Sequence, residues 1–115
     1  MAQKLRNKVF IIDGIKFQSK REAHRYCELK QLERAGYITG LELQKTYELI
    51  PAQYKNGKCV ERACKYIADF VYEQDGETIV EDSKGYRNPS SATYAKFVIK
   101  RKLMLYIHNI VVKEV

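Results

Sequence analysis

The sequence has no tryptophan, only two prolines and three cysteines, and no long apolar run. No stretch approaches the ~18–20 apolar residues of a membrane-spanning helix, so no membrane span is expected. Met1–Lys8 is polar and basic, without the apolar run of about 7–15 residues that a secretory signal would place behind it. An odd number of cysteines suits a reducing cytoplasm better than a disulfide scaffold. A zinc site is not expected either. Cys59 and Cys64 differ by five positions and would face opposite sides of a strand, and Cys27 falls in the apolar stripe of a helix. Gly57-Lys58-Cys59 lacks the upstream glycine of a phosphate-binding loop. There is no internal repeat and no low-complexity linker.

What is present is a chain of 115 residues, enough for one domain. A domain of that size buries roughly 65% of its unfolded surface, so a modest core needs no staples. Hydrophobic residues make up 45% and charged residues 30%, the balance of a soluble globular protein. The net charge is +7 and the pI about 9.3. Such a surface favours polyanions, nucleic acid first; the plainer reading is a generic basic surface. Membrane-surface binding is not expected, because no basic amphipathic segment carries a strong apolar face.

Residues 1–8 read as a disordered or loosely attached basic start. Val9–Ile12 and Ile15–Phe17 flank Asp13-Gly14 as a small hairpin. A helix is expected over 19–35: Ser19 and Glu22 form a capping box, Ala23, Tyr26, Cys27, Leu29 and Leu32 make a helical stripe, and Gly36 stops it. Three strands follow, over 41–54, 58–73 and 77–83, joined at Asn56-Gly57 and Asp75-Gly76, both signals for type I′ hairpins. Pro51 lacks a donor, so the first of these strands should be an edge strand or bulged. Gly85–Ser91 is a loop, 92–107 a second helix broken by Asn109, and Ile110–Val115 a last strand. The expected architecture is α/β: helix, three-strand meander, helix, strand, on one mixed sheet.

The two turns fix a register. A two-residue turn at 75–76 pairs residues whose numbers sum to 151 and sets Asp69 opposite Asp82. A turn at 56–57 pairs residues that sum to 113 and sets Gln44 opposite Asp69. Lys84 then shares the face of Asp82. Like charges directly opposite on a sheet repel. The row Gln44–Asp69–Asp82–Lys84 is poor for stability and suited to a divalent cation beside a lysine, because Mg²⁺ takes one or two carboxylates together with waters and phosphate. The alternative is a solvated strand end with Lys84 as a surface charge. A bulge in either arm would turn the side chains over, and the Gln44 pairing has to cross Pro51.

Asp69 in "YIADFVY" and Asp82-Ser83-Lys84 in "VEDSKG" resemble the D…(D/E)-x-K motif of the PD-(D/E)XK nuclease superfamily, whose core has this element order, the restriction-endonuclease-like core. With "FQSKREAHRYCELK", "GLELQKTYELIP" and "FVIKRKLM", the pattern is similar to small phage and prophage proteins related to Holliday-junction-resolvase-like nucleases. The matching blocks lie within residues 17–104. Ala68 stands where proline is common, and Asp82 where glutamate is commoner. The resemblance implies Mg²⁺ or Mn²⁺ held by Asp69, Asp82 and the Ser83 carbonyl, with Glu22 reaching the metal directly or through water. Lys84 would position or activate the attacking water, and Gln44 would stand beside the acidic cluster. For Glu22 the competing role is the capping box.

The implied activity is endonucleolytic hydrolysis of DNA, branched or linear, in phage recombination, replication or processing, within the cytoplasm of a bacterial host. A homodimer is expected by analogy, since its two sites would match a symmetric substrate. Candidate DNA contacts are Arg87, Tyr94, Lys96, Lys100, Arg101 and Lys102. Lys96 and Lys100 lie one helical turn apart, and Ser90, Ser91 and Thr93 sit where a helix N-terminus attracts anions. The competing reading is an ordinary solvated and capped helix. His108 reads as a surface or capping residue, and Lys65 as a structural partner of Glu48. Two rival functions remain: a DNA-binding or host-interacting protein that uses the same fold without cutting, and a structural protein whose charge is incidental.

Overall fold

The computed structural model describes residues 9–84 and 90–115. The expected basic start at 1–8, and Arg87 with most of its loop, lie outside the described residues. The described residues form eight strands and two helices: β1 (Phe10–Ile12), β2 (Ile15–Phe17), α1 (Lys20–Arg34), β3 (Thr39–Ile50), β4 (Gln53–Lys55), β5 (Lys58–Glu61), β6 (Cys64–Gln74), β7 (Glu77–Asp82), α2 (Ala92–His108) and β8 (Lys113–Glu114). The main sheet has the order β3-β6-β7-β8. It is antiparallel except for the parallel pair β7–β8, so the fold is α/β with a mixed sheet and two helices.

Local chemistry accounts for the punctuation. The turn pairs Asp13-Gly14, Asn56-Gly57 and Asp75-Gly76 all have positive φ at both residues, the type I′ geometry whose twist matches the flanking strands. Ser19 caps α1, its Oγ accepting from the Glu22 amide at 3.1 Å. Asn109 ends α2 in the left-handed conformation, with φ 58°. β3 is an edge strand, and Pro51 lies just beyond its end.

Three expected strands are shorter or more broken than their sequences suggested. The hairpin that turns at Asn56-Gly57 is interrupted at 51–52 and 62–63, so its tip becomes a separate two-stranded sheet, β4–β5. Its strands are exposed throughout, and without a helix to cover them they do not continue the main sheet. The final strand shrinks from 110–115 to Lys113–Glu114. Ile110 and Val112 are drawn into the core beside Met104, which leaves only the end of the segment for pairing.

Between its turn and the middle of β3 and β6, the Asn56-Gly57 hairpin carries two bulges that cancel. Tyr54↔Cys59 keeps the register set by the turn, the pairs Gln53↔Glu61 and Ile50↔Cys64 are displaced by one, and Glu48↔Lys65 restores it. Each bulge puts one extra residue on opposite arms, so the register reaching the site is the one that the turn dictates.

The sheet separates two apolar clusters. One joins Ala23, Tyr26 and Leu29 of α1 to Phe70 and Tyr72; the other joins Phe97 and Met104 of α2 to Tyr66, Ala68, Val71 and Val80. Burial of one such side chain contributes about 1.5–3 kcal/mol. Covered on both faces, β6 is buried continuously from Phe70 to Tyr72. Strict alternation would give Tyr66, Ala68, Phe70 and Tyr72 one face. Instead the first two pack with α2 and the last two with α1. β3 does the same, with Leu41 and Leu43 on the α1 side and Tyr47 and Leu49 on the α2 side. Both strands turn over between Leu43↔Phe70 and Lys45↔Ala68, at Gln44, whose φ is 54°, and at Asp69.

Candidate functional site

The turnover places Asp69 at the end of the β6–β7 ladder, which runs from Gln74↔Glu77 to Phe70↔Glu81 and stops one pair short of Asp69 and Asp82. There one backbone amide, that of Ser83, is taken by a side chain instead of by the facing strand. Asp69 Oδ2 accepts from the Ser83 amide at 2.8 Å, and Oδ1 accepts from Gln44 Nε2 at 3.2 Å. Asp82 is buried rather than solvated, at 5% exposure. Its Oδ2 accepts from the Tyr66 hydroxyl at 2.6 Å and its Oδ1 lies 3.1 Å from Lys84 Nζ. Lys84 Nζ in turn sits 4.0 Å from the centre of the Phe97 ring, a cation–π contact that holds it over the floor of the site.

Glu22 enters from α1. Its amide serves the Ser19 cap, while its carboxyl, the group that a full capping box turns back to the Ser19 amide, lies instead against Asp69. Burial, then a hydrogen bond to Asp69, then the charges of Asp69 and Asp82, raise the Glu22 carboxyl to about 7. Asp82 is also raised: burial and the charge of Asp69 outweigh the Tyr66 and Lys84 contacts that pull it down. Glu22, Asp69, Asp82 and Lys84 line one cavity of about 490 Å³, together with Lys65 and Lys100. A second hollow of about 400 Å³ meets the Glu22–Asp69 pair from the Gln44 side.

The structure therefore brings Glu22, Gln44, Asp69, Asp82, Ser83 and Lys84 together. The proposed DNA contacts divide. Lys100 lines the cavity, and Lys96 and Lys102 are exposed. The Tyr94 hydroxyl donates to Glu114 at 3.2 Å and Arg101 Nη1 to the same carboxylate at 2.9 Å, so both fasten α2 to β8. Lys65 stands opposite Glu48 in the ladder and also lines the cavity. His108 is exposed, its Nε2 2.7 Å from the Glu48 carbonyl oxygen. Tyr66 and Phe97 were not anticipated. Alternation puts Tyr66 and Asp69 on opposite faces, and only the turnover of β6 brings the Tyr66 hydroxyl under Asp82.

A further group was also not anticipated. Glu81 is fully buried. It accepts from Arg25 Nε at 2.8 Å and Nη2 at 2.6 Å, and from the Tyr72 hydroxyl. Burial would raise this carboxyl, but the Arg25 and Tyr72 hydrogen bonds outweigh it and hold it below the ordinary value. The bidentate pair ties α1 to β7 one residue before Asp82.

Among the described residues, no three His, Cys, Asp or Glu side chains gather closely enough for an all-protein metal cage. The donor set that is present is hard oxygen: two adjacent carboxylates with Glu22 beside them. With Glu22 ionised, each Asp69 and Asp82 oxygen has one donor within the protein and keeps a further lone pair. That is compatible with Mg²⁺, which usually keeps several waters and takes only one or two carboxylates.

The fold and site thus define an α/β domain with a carboxylate cluster and a lysine where a two-strand ladder opens. The chain belongs to a family of proteins of unknown function, DUF1064, whose model matches residues 2–113. No curated protein and no solved structure matches the chain.

Proposed function

We propose that this protein is a metal-dependent endodeoxyribonuclease with a restriction-endonuclease-like core, related to the PD-(D/E)XK enzymes. The observation that carries the reading is the convergence of Asp69, Asp82 and Lys84, with Glu22 beside them, in a cavity lined by further lysines. Asp69 and Asp82 would hold Mg²⁺ or Mn²⁺, with the Ser83 carbonyl and Glu22 as additional oxygen donors. When bound, such an ion supplies Lewis acidity at the phosphate and lowers the pKa of a water. Lys84, steadied by Asp82 and the Phe97 ring, orients the attacking water and offsets charge building on the phosphate. Gln44 holds Asp69 in place, Tyr66 holds Asp82, and Lys65 and Lys100 attract the DNA backbone. The setting that fits is phage or prophage DNA recombination, replication or processing in a bacterial cytoplasm, on branched or linear substrates, by a homodimer.

The test is cleavage of branched and linear DNA with Mg²⁺ or Mn²⁺. The wild type cuts, while Asp82→Asn and Lys84→Ala lose at least about 100-fold in rate, as expected for groups that act on developing charge. A wild type that cuts nothing, or an Asp82→Asn variant that cuts equally well, sinks the reading. One observation favours a second reading, a protein that binds DNA without cutting: each Asp69 and Asp82 oxygen already has a donor within the protein. It predicts DNA binding that is salt-sensitive and indifferent to the metal.

A further inference from the structure

Among the described residues, a cavity larger than the acidic one lies beside it. It has a volume of about 720 Å³ and is lined by Lys20, Arg21 and His24 of α1 and Lys113 of β8, and it shares Ser83 with the acidic cavity. Its charge is strongly one-sided. Arg25 and Glu28, also on its wall, are paired with each other at 3.1 Å, and Arg25 is committed to Glu81. His24 Nδ1 lies 3.9 Å from Glu28, and Lys113 stands opposite the buried Glu81 in the ladder and feels its charge. Among the described residues, however, no side-chain carboxylate forms an ion pair with Lys20, Arg21 or Lys113. Lys20 and His24 are one helical turn apart and so point from one side of α1. Arg21 spends its Nε on the Val115 carbonyl at 3.3 Å, which holds the guanidinium at the β8 edge and leaves its Nη donors available. The positive end of α1 adds to the same field.

We infer that this cavity is a second phosphate-binding site, which takes the backbone of a nucleic-acid strand where it continues past Ser83 from the acidic cavity. Lysines and an arginine that converge from two elements on one hollow match phosphate, and the shared Ser83 wall makes the two cavities stations on one path. The strand would run from Lys65 and Lys100 on one side of the carboxylates to Lys20, Arg21 and Lys113 on the other. The inference rests on the nucleic-acid part of the reading above but needs no cleavage.

The experiment is fluorescence anisotropy of a labelled DNA duplex titrated with full-length protein in EDTA over a range of salt. The variants are Lys20→Gln/Lys113→Gln and a charge-matched control, Lys55→Gln/Lys58→Gln, on the exposed hairpin away from both cavities. Loss of two phosphate contacts lowers the slope of log K against log salt by about 1.8, with affinity falling across all sequences; the control leaves the slope unchanged. The inference is overturned if the wild type binds no duplex, if Lys20→Gln/Lys113→Gln keeps the full slope, or if the control loses as much. Thermal stabilisation by inorganic phosphate is the second measurement. If the double variant loses it while duplex affinity stays intact, the cavity belongs to a free anion and the strand path is wrong. Weakened binding by the double variant of a wild type that never cuts would overturn the nuclease reading and leave this inference standing.

Discussion

Glu22 is the residue whose ionisation reports on the cluster. Its carboxyl is raised from 4.5 to about 7, first by burial, then by the hydrogen bond to Asp69 and the charges of Asp69 and Asp82. The folded state therefore binds this proton more tightly than the unfolded chain. The resulting stability is fully present below about pH 4.5 and is lost as pH rises through about 7. In EDTA, wild-type stability measured by urea denaturation falls across that window, and Glu22→Gln, which cannot ionise, removes part of the fall. After allowance for solvent screening at a partly exposed group, the gain at pH 8 is about 1 kcal/mol. Equal pH dependence in both proteins would show that neither burial nor Asp69 raises the Glu22 carboxyl. Gln44 carries a cost of a different kind. A glutamine at φ 54° is strained by roughly 1–2 kcal/mol, yet it supplies the amide that holds Asp69. Strain retained beside a carboxylate cluster is common where geometry serves function.

The elements that matter most are α1 and β7, and the Arg25–Glu81 pair joins them. Removing one partner strands a fully buried charge, so Arg25→Met is expected to cost about 3–5 kcal/mol. Arg25→Met/Glu81→Gln should recover much of that loss in a denaturant titration. A double variant no better than Arg25→Met would mean that the Arg25 stem matters more than the charge. Much at this scale was legible in the sequence. The stripe Ala23–Tyr26–Leu29, the Ser19 cap and three Asx-Gly turns gave the helix and the hairpins, and turn arithmetic placed Asp69 level with Gln44 and Asp82. Less was legible where the outcome depended on packing between elements. A pair of cancelling bulges leaves no local signal, because each bulge is defined only against the partner strand. The turnover at Gln44 and Asp69 is invisible to alternation, which assumes that it never happens, and Tyr66 was missed for that reason. Glu81 reads as one more acidic residue in "VEDSKG" until α1 is laid over it and Arg25 reaches it. The short β8 follows from the pull of Ile110 and Val112 into the core, which strand propensity alone does not contain.

For the whole molecule, the cluster sets stability against metal. Without a cation, burial first and the charge of Asp69 in addition raise the Glu22 and Asp82 carboxyls. Asp69→Asn removes that charge at little structural cost: an amide oxygen can still accept from the Ser83 amide, and its nitrogen can donate to Gln44 once that side chain is turned over. In EDTA near pH 8, Asp69→Asn is therefore expected to be at least as stable as the wild type. The order should reverse with Mg²⁺ or Mn²⁺. A ligand that binds only the folded state stabilises it by RT ln(1 + [L]/Kd), about 1.4 kcal/mol at ten times Kd, which is several degrees of Tm for a domain of this size. Asp69→Asn, with one carboxylate fewer, should gain little. Thermal unfolding of both proteins with and without metal tests for a metal site independently of any substrate. Parallel shifts would place the metal elsewhere on the protein, and no shift in the wild type would leave the carboxylates as a cluster held by Ser83, Gln44, Tyr66 and Lys84 alone.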